Sequence, residues 1–288
     1  MPLRYETVTF LSDYGLDDEF VGVVKSVIRQ IAPGAEVIDL THQIPPHDVR
    51  AGALLLARSA QYLCPGVVLA VVDPEVGGER RAIAVEVGDG QSVLVGPDNG
   101  LLAPAVGMVG GASRAVELTN PEFQLPTAGA TFAGRDVFAP AAAHLCAGVE
   151  LAQLGPSAPV HSLRPGIVPL SRREAAALVG EALWVDRFGN VQLNVDPEEA
   201  AQLDPERLTL QVGERRIPAR LVAAYAELRV GEVGLVVDSY GLLSVAVNRG
   251  AAADELNLRA GDLVTLTAPE GEPGASSPVT LRRSGPRP

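Results

Sequence analysis

The chain has 288 residues, 47% of them hydrophobic, which is enough to bury a core and to make two domains. Charged residues make up 20% and the net charge is −12, with no Lys/Arg run outside the last residues; nucleic acid and polyanionic substrates are therefore disfavoured as partners. Pro, Gly or charge interrupts every apolar run, and the opening MPLRYETVTFLSD has no long apolar segment, so the expectation is a soluble, cytoplasmic protein without a membrane partner.

In chain order, residues 7–11 form a short apolar strand and 20–31 a helix closed by Pro33-Gly34. Residues 37–40 form a second strand, and Asp48 caps a helix running to about Leu63, where Cys64-Pro65-Gly66 stops it. The β-branched run 67–72 has the pattern of a strand buried on both faces. Strands at 82–87 and 93–95 and an alanine-rich helix over 138–149 complete an α/β layer with a largely parallel sheet, assigned to residues 1–165. Leu163–Ser171, with two prolines and a glycine, reads as a linker. Beyond it, short alternating runs at 182–185, 191–195, 208–212, 233–237, 243–247 and 263–267 predict an all-β, barrel-like domain over 175–268. Residues 269–288, rich in Gly, Pro and Ser, read as a disordered tail.

Cys64 and Cys146 each lie in apolar context without a CxxC, and are expected to be reduced core thiols. The four histidines have no mutual metal-ligand spacing; His144, inside an apolar helix, reads as a core residue. No GxGxxG, P-loop, HExxH or GxSxG is present. Polar residues at strand ends remain, where open α/β sheets bind ligands. Strand one ends in Ser12-Asp13-Tyr14-Gly15, with Asp17 and Asp18 just before a helix. Asp13 is placed to accept hydrogen bonds from a ribose diol, whereas Asp18 is also placed to serve as the helix N-cap. Strand three ends in Asp73-Pro74-Glu75-Val76-Gly77-Gly78, followed by Arg80 and Arg81. A carboxylate seven residues before an arginine, across a glycine turn, can fold back as a charge pair, either functional or purely structural.

At these residues the sequence resembles the SAM (S-adenosyl-L-methionine) hydroxide adenosyltransferase family, once known as domain of unknown function 62 and related to the SAM-dependent fluorinase and chlorinase. The matching stretches are Phe10-Leu-Ser-Asp-Tyr-Gly15, Ile44-Pro-Pro-His-Asp-Val-Arg50, Val72-Asp-Pro-Glu-Val-Gly77, Gly96-Pro-Asp-Asn-Gly-Leu-Leu102 and Thr131-Phe-Ala-Gly-Arg-Asp-Val-Phe-Ala-Pro140. Asp186-Arg-Phe-Gly-Asn-Val191 and Asp238-Ser-Tyr-Gly-Leu-Leu-Ser244, followed by Val247-Asn248, match in the second half.

The resemblance implies an α/β SAM-binding domain, a β-barrel domain and a homotrimer with active sites between subunits. It also implies hydrolysis of SAM to adenosine and L-methionine, with SAM as substrate and no separate cofactor or metal. By resemblance Asp13 binds the ribose hydroxyls and Asp18 the methionine ammonium. Asn190 and Ser239 hold the methionine end with Asp186 beside them, and the backbone around Asn248 and Arg249 reads the adenine edge. Phe132 and Gly134 form pocket wall, and Tyr240 and Val247 join the same substrate-binding set. Asp73 and Arg80 match two of the three water-activating residues of the family's hydrolases. The halogenases typically carry tyrosine at the position of Asp73; a carboxylate there repels a halide and accepts a proton from water, which favours water over halide as the nucleophile.

One position departs. Where the hydrolase pattern has Thr-Phe-His-Gly-Arg-Asp, this chain has Ala133 in place of the histidine. Losing an acid–base contributor typically costs roughly 10²–10⁴-fold. Three readings stay open: a natural variant in which Asp73 and Arg80 suffice, an engineered His-to-Ala form, and a SAM- or adenosine-binding protein with little turnover.

Overall fold

A computed structural model of the chain describes residues 3–268; the expected tail at 269–288 lies outside the described residues. The chain divides into two compact units between Val168 and Pro169, within the segment read as a linker.

The first unit is an α/β layer. Its strands and helices are β1 (Thr7–Ser12), α1 (Phe20–Ile31), β2 (Glu36–Thr41), α2 (Val49–Ser59), β3 (Val67–Val71), β4 (Ala82–Val87), β5 (Ser92–Pro97), α3 (Ala103–Met108), β6 (Ala112–Glu117) and α4 (Ala139–Cys146). The sheet order is β2-β1-β3-β5-β4-β6. The β1–β2, β1–β3 and β3–β5 pairs are parallel, while β4 pairs antiparallel with both β5 and β6. The expected largely parallel sheet is therefore present, with an antiparallel edge.

Local chemistry accounts for these elements. β3 is Val-Val-Leu-Ala-Val and every residue is buried, as a central strand covered on both faces requires. In α1 the buried residues Val21, Val24, Val27 and Ile28 recur at helical spacing. Each such side chain contributes roughly 1.5–3 kcal/mol on burial. Asp48 caps α2 as expected, its carboxylate accepting from the Ala51 N–H at 2.8 Å. The helix is shorter than the sequence pattern suggests, ending at Ser59 with a 3₁₀ turn over Ala60–Tyr62. The core centres on Phe10, Ile28, Leu69 and Phe138.

Order alone fixes where this sheet can bind. The chain leaves β1 for β2 on one side and, through α2, crosses to β3 on the other. The C-terminal ends of β1 and β3 thus flank the point where the strand order reverses, the place where open α/β sheets hold ligands.

The second unit contains β7 (Arg172–Glu174), β8 (Ala177–Val185), β9 (Val191–Leu193), α5 (Pro197–Ala201), β10 (Leu208–Val212), β11 (Arg215–Ala219), β12 (Leu221–Val222), β13 (Val233–Val237), β14 (Leu243–Val247), α6 (Ala252–Leu256) and β15 (Leu263–Thr267). The strand path β11-β10-β15-β8-β9-β14-β13-β12 begins and ends on strands separated in sequence by Arg220 alone. The sheet therefore comes back on itself and is barrel-like, around Leu178, Val191, Leu235 and Leu266. All pairs are antiparallel except β12–β13.

Three expectations need correction. Cys146 is buried, but Cys64 is exposed and is not a core thiol, because it lies in the exposed connection between the 3₁₀ turn after α2 and the start of β3. Asp18 does not cap α1: the cap position falls on Glu19, and no side chain bonds the helix N-terminus there. The helix expected from Phe138 is preceded by a π-helical turn over Gly134–Phe138.

Candidate active site

Asp13 and Asp73 follow the adjacent strands β1 and β3 and line one cleft of about 250 Å³. Tyr14, Phe20, His47, Val76, Phe132, Ala133 and Gly134 complete most of its wall. Asp13 is tied in at two points. Its N–H reaches the Val71 carbonyl at 3.4 Å, and its Oδ2 accepts the His47 N–H at 2.9 Å. Among the described residues no hydrogen bond reaches the second oxygen, Oδ1, which leaves it for a ligand hydroxyl.

The strand ends are held from behind by a polar chain that runs from buried Ser12 and His42 out to the more exposed Asp39 and Lys25. Ser12 Oγ lies 2.8 Å from His42 Nδ1, and His42 Nε2 lies 3.0 Å from Asp39 Oδ1. Lys25 Nζ donates to Asp39 Oδ2 at 2.6 Å. An aspartate oxygen only accepts, so Nε2 carries the hydrogen, and in the neutral ring Nδ1 then accepts the Ser12 hydroxyl. Burial works against the Asp39 charge, but hydrogen bonds from Lys25 and His42 outweigh it and hold the carboxyl below its ordinary range. Ser12 Oγ in turn accepts the Tyr14 N–H at 3.3 Å, which fixes the backbone on either side of Asp13.

Asp73 and Arg80 do fold back on each other. Arg80 Nε donates to both carboxylate oxygens at 3.0 Å, and Nη2 to Oδ2 at 2.6 Å. The side chains are 6% and 9% exposed, so neither charge has much water to replace its partner. Removing one member of such a pair typically costs about 3–5 kcal/mol. The turn between them depends on Gly77, at φ 78°, whose missing side chain would run into the Ala130 carbonyl. Arg80 also packs over the Phe138 ring, 5.4 Å from its centroid. Arg81 points elsewhere, pairing with Asp98 through Nε at 2.9 Å. Behind β3, Asn99 Nδ2 donates to the Val72 carbonyl at 2.8 Å, so the Gly96–Leu102 stretch braces the segment entering Asp73.

The residues matched in the second unit gather around a depression of about 710 Å³ lined by Asp186, Asn190, Ser239, Val247, Asn248 and Arg249, together with Phe188 and Tyr225. Tyr240 is not among its lining residues and is 42% exposed. Asp186 spends its carboxylate on its own turn, accepting from the Phe188 and Asn190 N–H groups at 2.8 and 2.9 Å and from Asn190 Nδ2 at 2.8 Å. Asp238 does the same for the next turn, accepting from the Tyr240 and Leu242 N–H groups at 2.9 and 3.1 Å. The N–H and C=O of Asn248 bond Glu232 and Gly231, and its side chain donates to the Leu228 carbonyl. Arg249 has the left-handed backbone in this stretch, at φ 60°.

Asp18 is exposed, and neither it nor Arg80 lines the first cleft directly. Sequence reasoning missed Tyr14, Phe20 and His47, though Tyr14 and His47 lie inside stretches already singled out. Among the described residues no group of three or more His, Cys, Asp or Glu side chains is arranged to hold a metal ion.

The wall opposite Asp73 is close-fitting. Tyr14, Phe20 and Phe132 meet edge to face or tilted, with centroids 5.1–5.7 Å apart. Gly134 is buried, and a methyl group added to it would collide with the Tyr14 hydroxyl and crowd its ring, 3.0 Å from Cζ. Gly134→Ala should therefore lower stability by about 1–3 kcal/mol in urea unfolding. Tyr14→Phe in the same chain removes the colliding oxygen and should recover part of that loss. An unchanged midpoint for Gly134→Ala would contradict this packing.

Residues 8–155 match the family model of the SAM hydroxide adenosyltransferase N-terminal domain, and residues 180–265 match that of the C-terminal domain. The chain is 47% identical over 261 residues to an (R)-S-adenosyl-L-methionine hydrolase of Salinispora tropica, covering 91% of this chain and 97% of the relative. It is 27% identical to a fluorinase of an Actinoplanes species, covering 90% and 97% of the two chains. A solved structure of an uncharacterized conserved protein from Thermotoga maritima superimposes with a TM-score of 0.83 at 34% identity, covering 90% of this chain and 99% of that one. With both family models matched in order, and a relative at this identity along nearly its whole length, the chain belongs to the SAM hydroxide adenosyltransferase family.

Proposed function

We propose that this protein hydrolyses SAM to adenosine and L-methionine by in-line attack of water at C5′. The observation that carries this reading is the buried Asp73–Arg80 pair beside Asp13 at the strand-order reversal. Asp13 Oδ1 takes the ribose diol. Asp73 accepts a proton as the oxygen–C5′ bond forms, and the Arg80 guanidinium holds the carboxylate in place for that transfer. The C5′–sulfur bond breaks with its electron pair returning to sulfur, so a sulfonium leaves as a neutral thioether. SAM is the substrate, and this displacement calls on no separate cofactor. Asp18 would meet the methionine ammonium. In the second unit Asn190, Ser239, Val247, Asn248 and Arg249 would contact the substrate, with Asp186 setting the turn beneath them and Tyr240 at its rim. The S. tropica relative's name specifies the (R) epimer at sulfur, and we extend that preference to this chain.

Adenosine formation from separate (S) and (R) preparations tests the reaction and the preference together. Appearance of 5′-chloro-5′-deoxyadenosine in chloride would instead support a halogenase, against the carboxylate at position 73. Asp73→Asn should abolish most adenosine formation while SAM affinity by calorimetry is largely kept. An equal loss of binding would make Asp73 a ligand contact.

Ala133, in the cleft wall, favours a second reading, a SAM- or adenosine-binding protein with little turnover. Ala133→His should raise single-turnover adenosine release, by up to about 10²-fold for a restored acid–base partner, with SAM affinity nearly unchanged. A correctly folded histidine form that is no faster would argue against water activation at this position.

We further propose a homotrimer in which the Asp13–Asp73 cleft of one copy works with the Asn190–Ser239 loops of another. Light scattering should give a mass of three chains. Mixing two inactive variants, Asp73→Asn and Asn190→Ala, after dissociation and reassembly should restore part of the activity. No recovery from correctly assembled mixtures would place all four residues in one chain's site.

A further inference from the structure

Tyr14 stands out because its hydroxyl is an addition that packing alone does not explain. The backbone places it immediately after Asp13, anchored through its N–H to Ser12 Oγ at 3.3 Å. Its ring is held edge-on by Phe10 at 6.4 Å and by Phe132 at 5.7 Å, and lies tilted against Phe20 at 5.7 Å. The hydroxyl ends against the Cα of Gly134 and beside Ala133, on the wall of the cleft that Asp73 shares. Among the described residues it donates to no protein group and accepts from none, and it is not sealed from the cleft. A phenylalanine would make the same ring contacts without the oxygen.

Its surroundings keep the proton on the oxygen. Burial, reinforced by the negative charges of Asp13 and Asp73 and opposed only by Arg80, pushes the phenol well above its ordinary range. The group is therefore an O–H donor throughout the working pH range. A water attacking C5′ needs one lone pair directed at carbon, one O–H directed at an acceptor, and a donor to fix its remaining lone pair. Asp73 is the acceptor. Its Arg80 neighbour is turned onto the carboxylate by three contacts, and the Ala133 side chain has no polar atom to offer.

We propose that Tyr14 is a further catalytic residue, whose hydroxyl donates a hydrogen bond to the attacking water and orients it between Asp73 and C5′. The inference rests on the hydrolase reading given above. No proton leaves Tyr14: the water proton passes to Asp73, the new bond joins the water oxygen to C5′, and the electron pair of the broken bond stays on methionine sulfur.

Tyr14→Phe deletes one oxygen and leaves the ring contacts, so it should fold. At saturating SAM it should release adenosine about 10-fold more slowly, the scale of one lost neutral hydrogen bond, with KM, calorimetric affinity for SAM and melting temperature close to those of the unaltered chain. Full-rate turnover by Tyr14→Phe, or a loss expressed only in KM or in melting temperature, would overturn the proposal while leaving the hydrolase reading intact. Failure of the unaltered chain to form adenosine would overturn both.

Discussion

The buried pair between Asp73 and Arg80 is the interaction on which the proposed chemistry depends. Asp73 shares its cleft with a second carboxylate, Asp13, and like charges in one cleft repel. Arg80 relieves this for Asp73 by donating to both of its oxygens, and the His47 N–H does so more weakly for Asp13. The two carboxylates thereby become different in kind. Asp73 is rigid, charge-paired and nearly enclosed; Asp13 is held by one backbone donor and keeps an oxygen for a ligand. Two like residues can then do unlike work, one with a proton and one with a diol.

That pair exists because the sheet and the turn after β3 cooperate. Parallel strand order brings the ends of β1 and β3 side by side, and the left-handed Gly77 reverses the chain so that an arginine seven residues on can reach back. Any side chain at Gly77 would press on the Ala130 carbonyl, in the segment that leads to Phe132 and Ala133. The same turn therefore sets both the charge pair and the spacing of the opposite wall. In the second unit aspartates act differently again. Asp186, and Asp238 through one of its oxygens, close the turns that present Asn190, Ser239 and Tyr240, while the other Asp238 oxygen accepts from Gln192 and Ser244, so their effect on a ligand runs through the shape of those loops.

Much of this was legible in the sequence where burial is one-sided or complete. β4, β10, β13, β14, β15 and α1 fall on the residues that the periodicity picked out, because their apolar spacing has one physical solution. Elements without that signal were missed. β11 is Arg-Arg-Ile-Pro-Ala and largely exposed, an edge strand whose polarity and proline conceal its pairing. α3 combines Pro, Gly and small residues, and β6 begins exposed. Cys64 misled because apolar neighbours in sequence were taken for apolar surroundings in space. Among site residues, strand-end carboxylates were visible from pattern alone. Tyr14 and His47 were not, since their importance comes from what the fold brings opposite them.

The wall containing Tyr14, Ala133 and Gly134 shows how side-chain volume and polarity are coupled there. The phenol can reach its position only because residue 134 lacks a Cβ, and the π-helical turn that begins at Gly134 keeps that backbone close to the ring. A glycine at this point weakens a helical segment by about 1 kcal/mol relative to alanine, and among the described residues the hydroxyl gains no protein hydrogen bond in return. Neither feature is explained by the visible aromatic contacts, which a phenylalanine would make equally well. A donor of this kind in a cleft wall shared with a charge-paired carboxylate is what the proposed role calls for. The hydroxyl and the missing Cβ belong to a single arrangement, and its polar end faces the cleft rather than the core.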